Sequence, residues 1–449
     1  MFKKIAVCLF LAAFCVGARA ADTNSLVWHK ATDRVDADLR GMALWPLLEK
    51  IASDAGWRIY VEPDTTHTTS AKFKDLPSGD ALKRLLGNLN FALVPRTNGV
   101  PQLYVFRTVM KNATRLVLAP KATAKHVPNE LLVKLKPGAD IDALAKLLGA
   151  KVIGRNDKLG LYRLLFDNAS AMDAALGQLK NNSDVAEVDY NYYYDPPPSA
   201  QALSSTPVGP LSLTLNPPGD SGKVIVGLPD TAVQSLGDSL DKFMLKQISV
   251  AGDATMNSSD PTHGTAMAYS ILEAIAQQSS GGSSVQILPV DIYGGSESTT
   301  SWNVALGIQA AVDNGATVLN LSLGGAGDSS VLESIIQQAI AAGIPVFASA
   351  GNQPVTTLTY PAADTGVISV TALQQKDLIA SYANYGSWVD LALPGTSIFY
   401  LNGAAYLVQG TSVSTAYASG VAAGNKASTT STWAQIVAAM QTKFVVPTK

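Results

Sequence analysis

Three side chains that together transfer acyl groups stand in this sequence in the order aspartate, histidine, serine. Asp230 closes the apolar run Val224-Ile225-Val226-Gly227-Leu228-Pro229. His263 opens His263-Gly264-Thr265 and is the only histidine in the C-terminal half of the chain. Ser412 follows Gly410-Thr411 and begins a run of small residues that continues to Gly424. A serine hydroxyl attacks a carbonyl when a base takes its proton, a carboxylate orients that base, and N–H donors receive the charge on the carbonyl oxygen. A serine at the mouth of a helix lies beside free backbone N–H groups. Asn352, just after Ala348-Ser349-Ala350-Gly351, adds a side-chain N–H for the same oxyanion. Each residue also has an ordinary reading. Asp230 suits a strand-end turn, Asn352 a turn or cap, and Ser412 a helix N-cap worth ~1 kcal/mol. A lone histidine is commonly a surface or core residue of no consequence.

The elements around these residues decide between the readings. Apolar stretches at 224–228, 285–290, 318–321 and 345–348 alternate with helical patterns at 266–277, 304–313 and 331–341. Nearly continuous apolar strands separated by helices predict a parallel sheet covered on both faces. Sites in such sheets gather outside the carboxyl ends of the strands, where Asp230 and Asn352 fall. Chain order excludes the other serine triads, since chymotrypsin-like enzymes put histidine first and α/β-hydrolases put serine first, within Gly-x-Ser-x-Gly.

Further motifs carry a resemblance. They are Val318-Leu319-Asn320-Leu321-Ser322-Leu323-Gly324-Gly325, Tyr360-Pro361-Ala362, Val367-Ile368-Ser369-Val370, Ala380-Ser381-Tyr382-Ala383-Asn384-Tyr385-Gly386, Val389-Asp390 and Leu393-Pro394-Gly395. With the Asp-His-Ser order, residues 222–449 resemble the subtilisin-like serine proteases. The resemblance implies an α/β fold with a doubly wound, mainly parallel sheet, and an endopeptidase acting on polypeptide substrates through an acyl-enzyme. Asp230, His263 and Ser412 would be catalytic and Asn352 the oxyanion donor. Ser322, Leu323 and Gly324 would pair with substrate as an added strand, and with Ala350 and Gly351 they would wall the specificity pocket. The chain departs from the family at Ala232, which stands where glycine is usual, at Ala266, where a second histidine is usual, and at Val413-Ser414-Thr415-Ala416. These departures motivate a second reading, a catalytically weak relative serving as an envelope binding or signalling module. The short 278–284 loop lacks the aspartate- and asparagine-rich insertion that often holds calcium, so no metal or other cofactor is assigned and a calcium ion has no locatable site.

Upstream, Lys3 and Lys4 precede an apolar stretch and Ala18-Arg19-Ala20, so residues 1–20 read as a signal peptide of an exported protein, secreted or periplasmic. Both cysteines, Cys8 and Cys15, lie inside it, which leaves the remainder without a disulfide. Residues 21–115 form a first small α+β module, with a helix bearing Leu44, Leu47, Leu48 and Ile51 and ending at Gly56. A second helix follows, capped by Ser78, and then a hairpin with a turn at Asn98-Gly99. It resembles the short N-terminal domain of secretins and TonB-dependent receptors, which implies an envelope protein as partner. Residues 126–195 read as a β-α-β-β-α-β, ferredoxin-like module. Its Pro128-Asn129-Glu130-Leu131-Leu132-Val133-Lys134 start and Val185-Ala186-Glu187-Val188-Asp189-Tyr190-Asn191 end resemble the inhibitory propeptides of subtilisin-like proteases, the fervidolysin type above all. The resemblance implies that this module is the chain's own inhibitor and that Tyr190-Asn191-Tyr192-Tyr193-Tyr194 fills the substrate groove of an inactive precursor. Residues 196–221, with Pro196-Pro197-Pro198 and Pro217-Pro218-Gly219, read as an exposed linker. A net charge of −2 with no basic run excludes a nucleic-acid partner recruited by bulk electrostatics.

Overall fold

The computed structural model describes residues 25–29, 32–95, 101–117, 124–194, 200–203, 211–218, 222–254, 260–375 and 378–447. The expected signal segment and the Asn98-Gly99 turn lie outside them. The chain divides into two compact units, Met1–Pro120 and Lys121–Lys449. Among the described residues no helix is long and apolar enough to cross a membrane.

In the first unit, helix Leu44–Ala55 buries Leu44, Leu47, Leu48, Ile51 and Ala52, and ends on Gly56 in the left-handed conformation that glycine adopts without strain. Helix Ser78–Leu86 buries Ala81, Leu82, Leu85 and Leu86. Ser78 is not its cap: the helix starts after Pro77 with no side-chain cap, and the Ser78 hydroxyl donates to Asp33 Oδ2 at 2.8 Å. Two strands absent from the sequence reading, Arg34–Ala43 and Thr68–Pro77, form a three-stranded antiparallel sheet with Ser25–His29. Their charged residues face water, as in the Lys72–Asp38 ion pair at 2.6 Å, while Val35, Ala37 and Leu39 alternate with them into the core. A second sheet orders Asn90–Val94, Gln102–Phe106, Arg58–Val61 and Arg115–Val117.

The second unit begins with the expected β-α-β-β-α-β order. Helix Ile141–Leu148 is capped by the Asp140 carboxylate, which accepts from the Asp142 and Ala143 N–H groups, and helix Ala169–Leu179 by Asn168. The strands lie in the order Val185–Tyr194, His126–Leu135, Leu161–Leu165, Lys151–Asn156, all neighbours antiparallel. The last strand runs through the whole Tyr190–Tyr194 stretch. Its final residues, Tyr193 and Tyr194, pair with Thr300 and Thr299 of the domain that follows.

That domain is built on a sheet ordered Ile248–Ser249, Gln286–Asp291, Ile225–Asp230, Val318–Leu321, Val346–Ser349 and Ile368–Gln375. These neighbours are parallel, as is Leu391–Pro394 beside Ile368–Gln375, and among the described strands of this sheet only Leu378–Ile379 runs against them. Separate apolar clusters cover its two faces, one with helices His263–Gln278 and Thr411–Ser428, the other with Ser301–Asp313 and Ser330–Ala341. The 196–221 range is not wholly an exposed linker. Gln201–Leu203 and Thr214–Leu215 are strands, and Leu213 is buried. Main-chain N–H and C=O groups pair with a free sheet edge whatever their side chains, so composition hides such strands.

Candidate active site

Asp230 and His263 are joined by two interlocked turns. Asp230 is the last residue of its strand, and His263 the first of helix His263–Gln278, which Thr262 caps by accepting the Thr265 N–H. His263 Nδ1 lies 2.8 Å from Asp230 Oδ1 and 3.0 Å from Oδ2, with both side chains almost wholly buried. The Thr231 hydroxyl accepts the Gly264 N–H at 2.8 Å. A Cβ on Gly264 would stand 2.1 Å from the Thr231 carbonyl oxygen, so only glycine fits this crossing. Gln234 ties the same turn down: its side-chain oxygen accepts from the Thr262 N–H and the Thr265 hydroxyl, and its own N–H donates to Thr265 Oγ1. Sequence reasoning missed Gln234, since a lone glutamine carries no pattern. The departures Ala232 and Ala266 are both buried, in packing rather than at the reacting groups.

Ser412 is the second residue of helix Thr411–Ser428, whose first fourteen residues, Thr411 to Gly424, are all buried. The small-residue run is what lets this helix thread the core: a Cβ on Gly420 would come within 2.6 Å of the Ile271 carbonyl of the neighbouring helix. Ser412 Oγ donates to the Ser322 carbonyl at 3.1 Å, and Ser322 Oγ donates to the Ser412 carbonyl at 3.0 Å. Asn320 Nδ2 donates to Ser322 Oγ, and Ser419 Oγ to Asn320 Oδ1, so a buried chain of hydroxyls and amide fixes the strand end against the helix. The structure therefore brings Asp230 and His263 into contact, whereas the Ser412 hydroxyl is turned to Ser322. The substituted Ser414 is fully buried and its hydroxyl is taken by the Leu393 and Pro394 carbonyls.

Asn352 reaches the start of the Ser412 helix. Its Oδ1 accepts from the Thr411 N–H at 2.9 Å and the Thr411 hydroxyl at 3.0 Å. With the oxygen so occupied, the amide Nδ2 lies toward Gly410, where an added Cβ would come within 3.3 Å of it. Gly351 has φ +102, a left-handed value, and Asn384 closes over it by bonding Thr359 Oγ1 and the Gln353 N–H. Ala350 is fully buried and its N–H donates to Val370. Ser322 and Leu323 also bury their side chains, and their carbonyls accept from Ser412 Oγ and Ser349 Oγ. Gly324 lies against Thr359, 2.7 Å from where its Cβ would be.

The groove beside these residues holds the chain's own strand. An added Cβ on Gly325 would meet Tyr194 Cδ1 at 3.3 Å, and one on Gly327 would meet Tyr192 Cγ at 2.5 Å. Tyr194 is fully buried. Asp189 Oδ2 accepts from the N–H and hydroxyl of Ser330, at the positive end of helix Ser330–Ala341. Asn191 Oδ1 accepts the Trp302 N–H at the start of helix Ser301–Asp313. Burial pushes the Asp189 carboxyl above the usual range, although these hydrogen bonds oppose the shift. Below the groove, burial, then the charges of Glu333 and Asp328, push Asp364 up to about 7.

The fold and this arrangement define an α/β serine hydrolase with the Asp-His-Ser order. Residues 221–445 match the family model described as the subtilase family, and residues 112–191 match the fervidolysin N-terminal prodomain. The chain is 31% identical over 320 residues to the thermophilic serine proteinase of Bacillus sp. (strain AK1), covering 66% of this chain and 78% of that protein. It is 36% identical over 204 residues to thermitase of Thermoactinomyces vulgaris, covering 44% of this chain and 72% of that one. Fervidolysin from Fervidobacterium pennivorans has a similar fold, with a TM-score of 0.55 at 19% identity over 70% of this chain; the chain spans 57% of the fervidolysin chain. The chain belongs to the subtilase family, with a fervidolysin-type prodomain ahead of its serine protease domain.

Proposed function

We propose that this protein is an exported serine endopeptidase made as an inactive precursor, in which residues 126–195 inhibit the domain that follows. The observation that carries the reading is a strand of the chain itself lying in the groove beside a buried Asp230–His263 pair and Ser412. In this reading Ser412 is the nucleophile. His263 is the base that takes its proton and returns it to the leaving amine, and Asp230 holds the imidazole with Nδ1 protonated. Before attack the Ser412 hydroxyl turns from the Ser322 carbonyl to His263 Nε2. Asn352 Nδ2 and the Ser412 N–H stabilise the oxyanion, an assignment supported by the Asn352 oxygen being already committed to Thr411. The main chain of Ser322, Leu323 and Gly324 pairs with extended polypeptide, which gives affinity with little sequence demand. Ala350 and Gly351 wall the pocket for the residue before the cut. The departures from the family leave each of these groups in place, so nothing favours the binding-module alternative. Residues 21–115 are proposed to form a domain like the short N-terminal domain of secretins and TonB-dependent receptors, docking on an envelope partner.

The test is a time course of the full-length wild type and Ser412→Ala with a fluorophosphonate probe, followed by intact mass. Labelling at Ser412 that rises as the N-terminal part is shed is the expected result. Equal shedding in both proteins would refute self-processing, and shedding without labelling would refute the catalytic reading.

A further inference from the structure

The helix that His263 begins carries only half of an N-terminal closure in its own sequence. Thr262 is its N-cap, and the Thr262 hydroxyl accepts the Thr265 N–H. A complete capping box also has Glu or Gln at the third helical position, whose side chain returns to the N-cap N–H. Helix Trp433–Lys443 has that complete box, formed by Thr432 and Gln435. In the His263 helix the third position is Thr265, whose side chain is too short to return. The acceptor comes instead from the turn that Asp230 begins. Gln234 Oε1 takes the Thr262 N–H at 2.9 Å and the Thr265 hydroxyl at 3.0 Å. The Gln234 main-chain N–H donates to Thr265 Oγ1 at 2.9 Å, and its Nε2 donates to the Asp260 carbonyl at 3.1 Å. The Thr262 hydroxyl adds a bond back to the Ala232 carbonyl at 2.6 Å, and Thr265 is fully buried. The acid and the base therefore stand at the two ends of one hydrogen-bonded clasp, and the Gln234 side chain spans it.

We propose that Gln234 is a positioning residue for the base: by closing the cap of the His263 helix from the loop of Asp230, it holds the imidazole in line between Asp230 and Ser412. This rests on the reading of Ser412 as the nucleophile and His263 as its base. Gln234 acts through His263, and its loss is felt in the chemical step rather than in binding.

Two measurements test this, each on three variants. Gln234→Met keeps the length of the side chain and removes its hydrogen bonds. Gln234→Glu keeps the acceptor for the Thr262 N–H and the Thr265 hydroxyl. Gln435→Met removes the equivalent bond from the complete box and controls for lost helix capping. The first measurement is steady-state kinetics with a quenched peptide, on enzyme that has processed itself and been titrated with fluorophosphonate. A misplacement of about 1 Å can cost 10²-fold, so Gln234→Met is expected to lower kcat by on the order of 10 to 10² with KM unchanged. Gln234→Glu should recover most of that loss. Gln435→Met should lower the melting temperature about as much as Gln234→Met and leave kcat alone. Wild-type kcat in Gln234→Met, or an equal fall in Gln435→Met, overturns the proposal. The second measurement needs no processing. In full-length Ser412→Ala, proton NMR follows the low-field resonance of the proton between His263 Nδ1 and Asp230, identified by its loss in His263→Ala. Gln234→Met should shift it and speed its exchange with water, while Gln435→Met leaves it in place; an unchanged resonance in Gln234→Met overturns the proposal. Absence of labelling and cleavage in the wild type would refute the nucleophile assignment and the kinetic role with it, while the resonance would still report the clasp.

Discussion

Tyr194 is the residue on which latency of the precursor should depend most. It is fully buried and packs in the cluster that contains Leu132 of the inhibitory module and Leu323 of the groove. Truncating an aromatic side chain in such a site costs ~3–5 kcal/mol. At 1.4 kcal/mol per tenfold, Tyr194→Ala should shift the docked–undocked equilibrium by on the order of 10²–10⁴. The hydroxyl contributes nothing to that figure, because it has no hydrogen-bond partner among the described residues. Tyr194→Phe should therefore leave the precursor as latent as wild type, or more so. The assay is the initial rate of fluorophosphonate labelling of the unprocessed full-length chain, since the probe reaches Ser412 only from the open state. The alanine variant should label about 10² faster and the phenylalanine variant no faster than wild type. Gly327→Ala presses from the other side, its new Cβ 2.5 Å from Tyr192 Cγ, and should also speed labelling. If Tyr194→Ala keeps its circular dichroism and labels at the wild-type rate, the groove is not closed by this strand and the argument fails.

Other outcomes follow from the same geometry. Asn352→Asp keeps the acceptor for Thr411 and loses the Nδ2 donor, so steady-state kinetics should give kcat lower by ~10²–10³ with KM nearly unchanged, a loss established for such a donor in a subtilisin and carried over here. Asp364, raised to about 7, contributes stability that is whole below the ordinary carboxylate pKa and lost as pH rises through about 7. Its full shift would correspond to ~4 kcal/mol; solvent screening reduces this to about 2, so Asp364→Asn should melt higher than wild type above neutrality and equally at pH 4 in the same calorimeter.

The sequence by itself determined the chemistry and the order of the elements. Asp230, His263 and Ser412 could be proposed as the reacting groups because acyl transfer demands those side chains and only one chain order fits an alternating α/β pattern. Helices 304–313 and 331–341 were legible because apolar spacing declares a buried face. Asn352 could be named, but not that its oxygen would be held by Thr411, which fixes where its nitrogen points. The strands Arg34–Ala43 and Thr68–Pro77 went unseen because charges on their wet face masked the alternation. Gln201–Leu203 went unseen because nothing in its side chains marks pairing. What only the tertiary structure decided is how distant segments meet: Gln234 locking the aspartate and histidine turns, Ser412 turned to the Ser322 carbonyl, and Gln201–Leu203 pairing with Ala404–Gln409. These depend on main-chain groups and through-space contacts, which leave no periodic trace along the sequence.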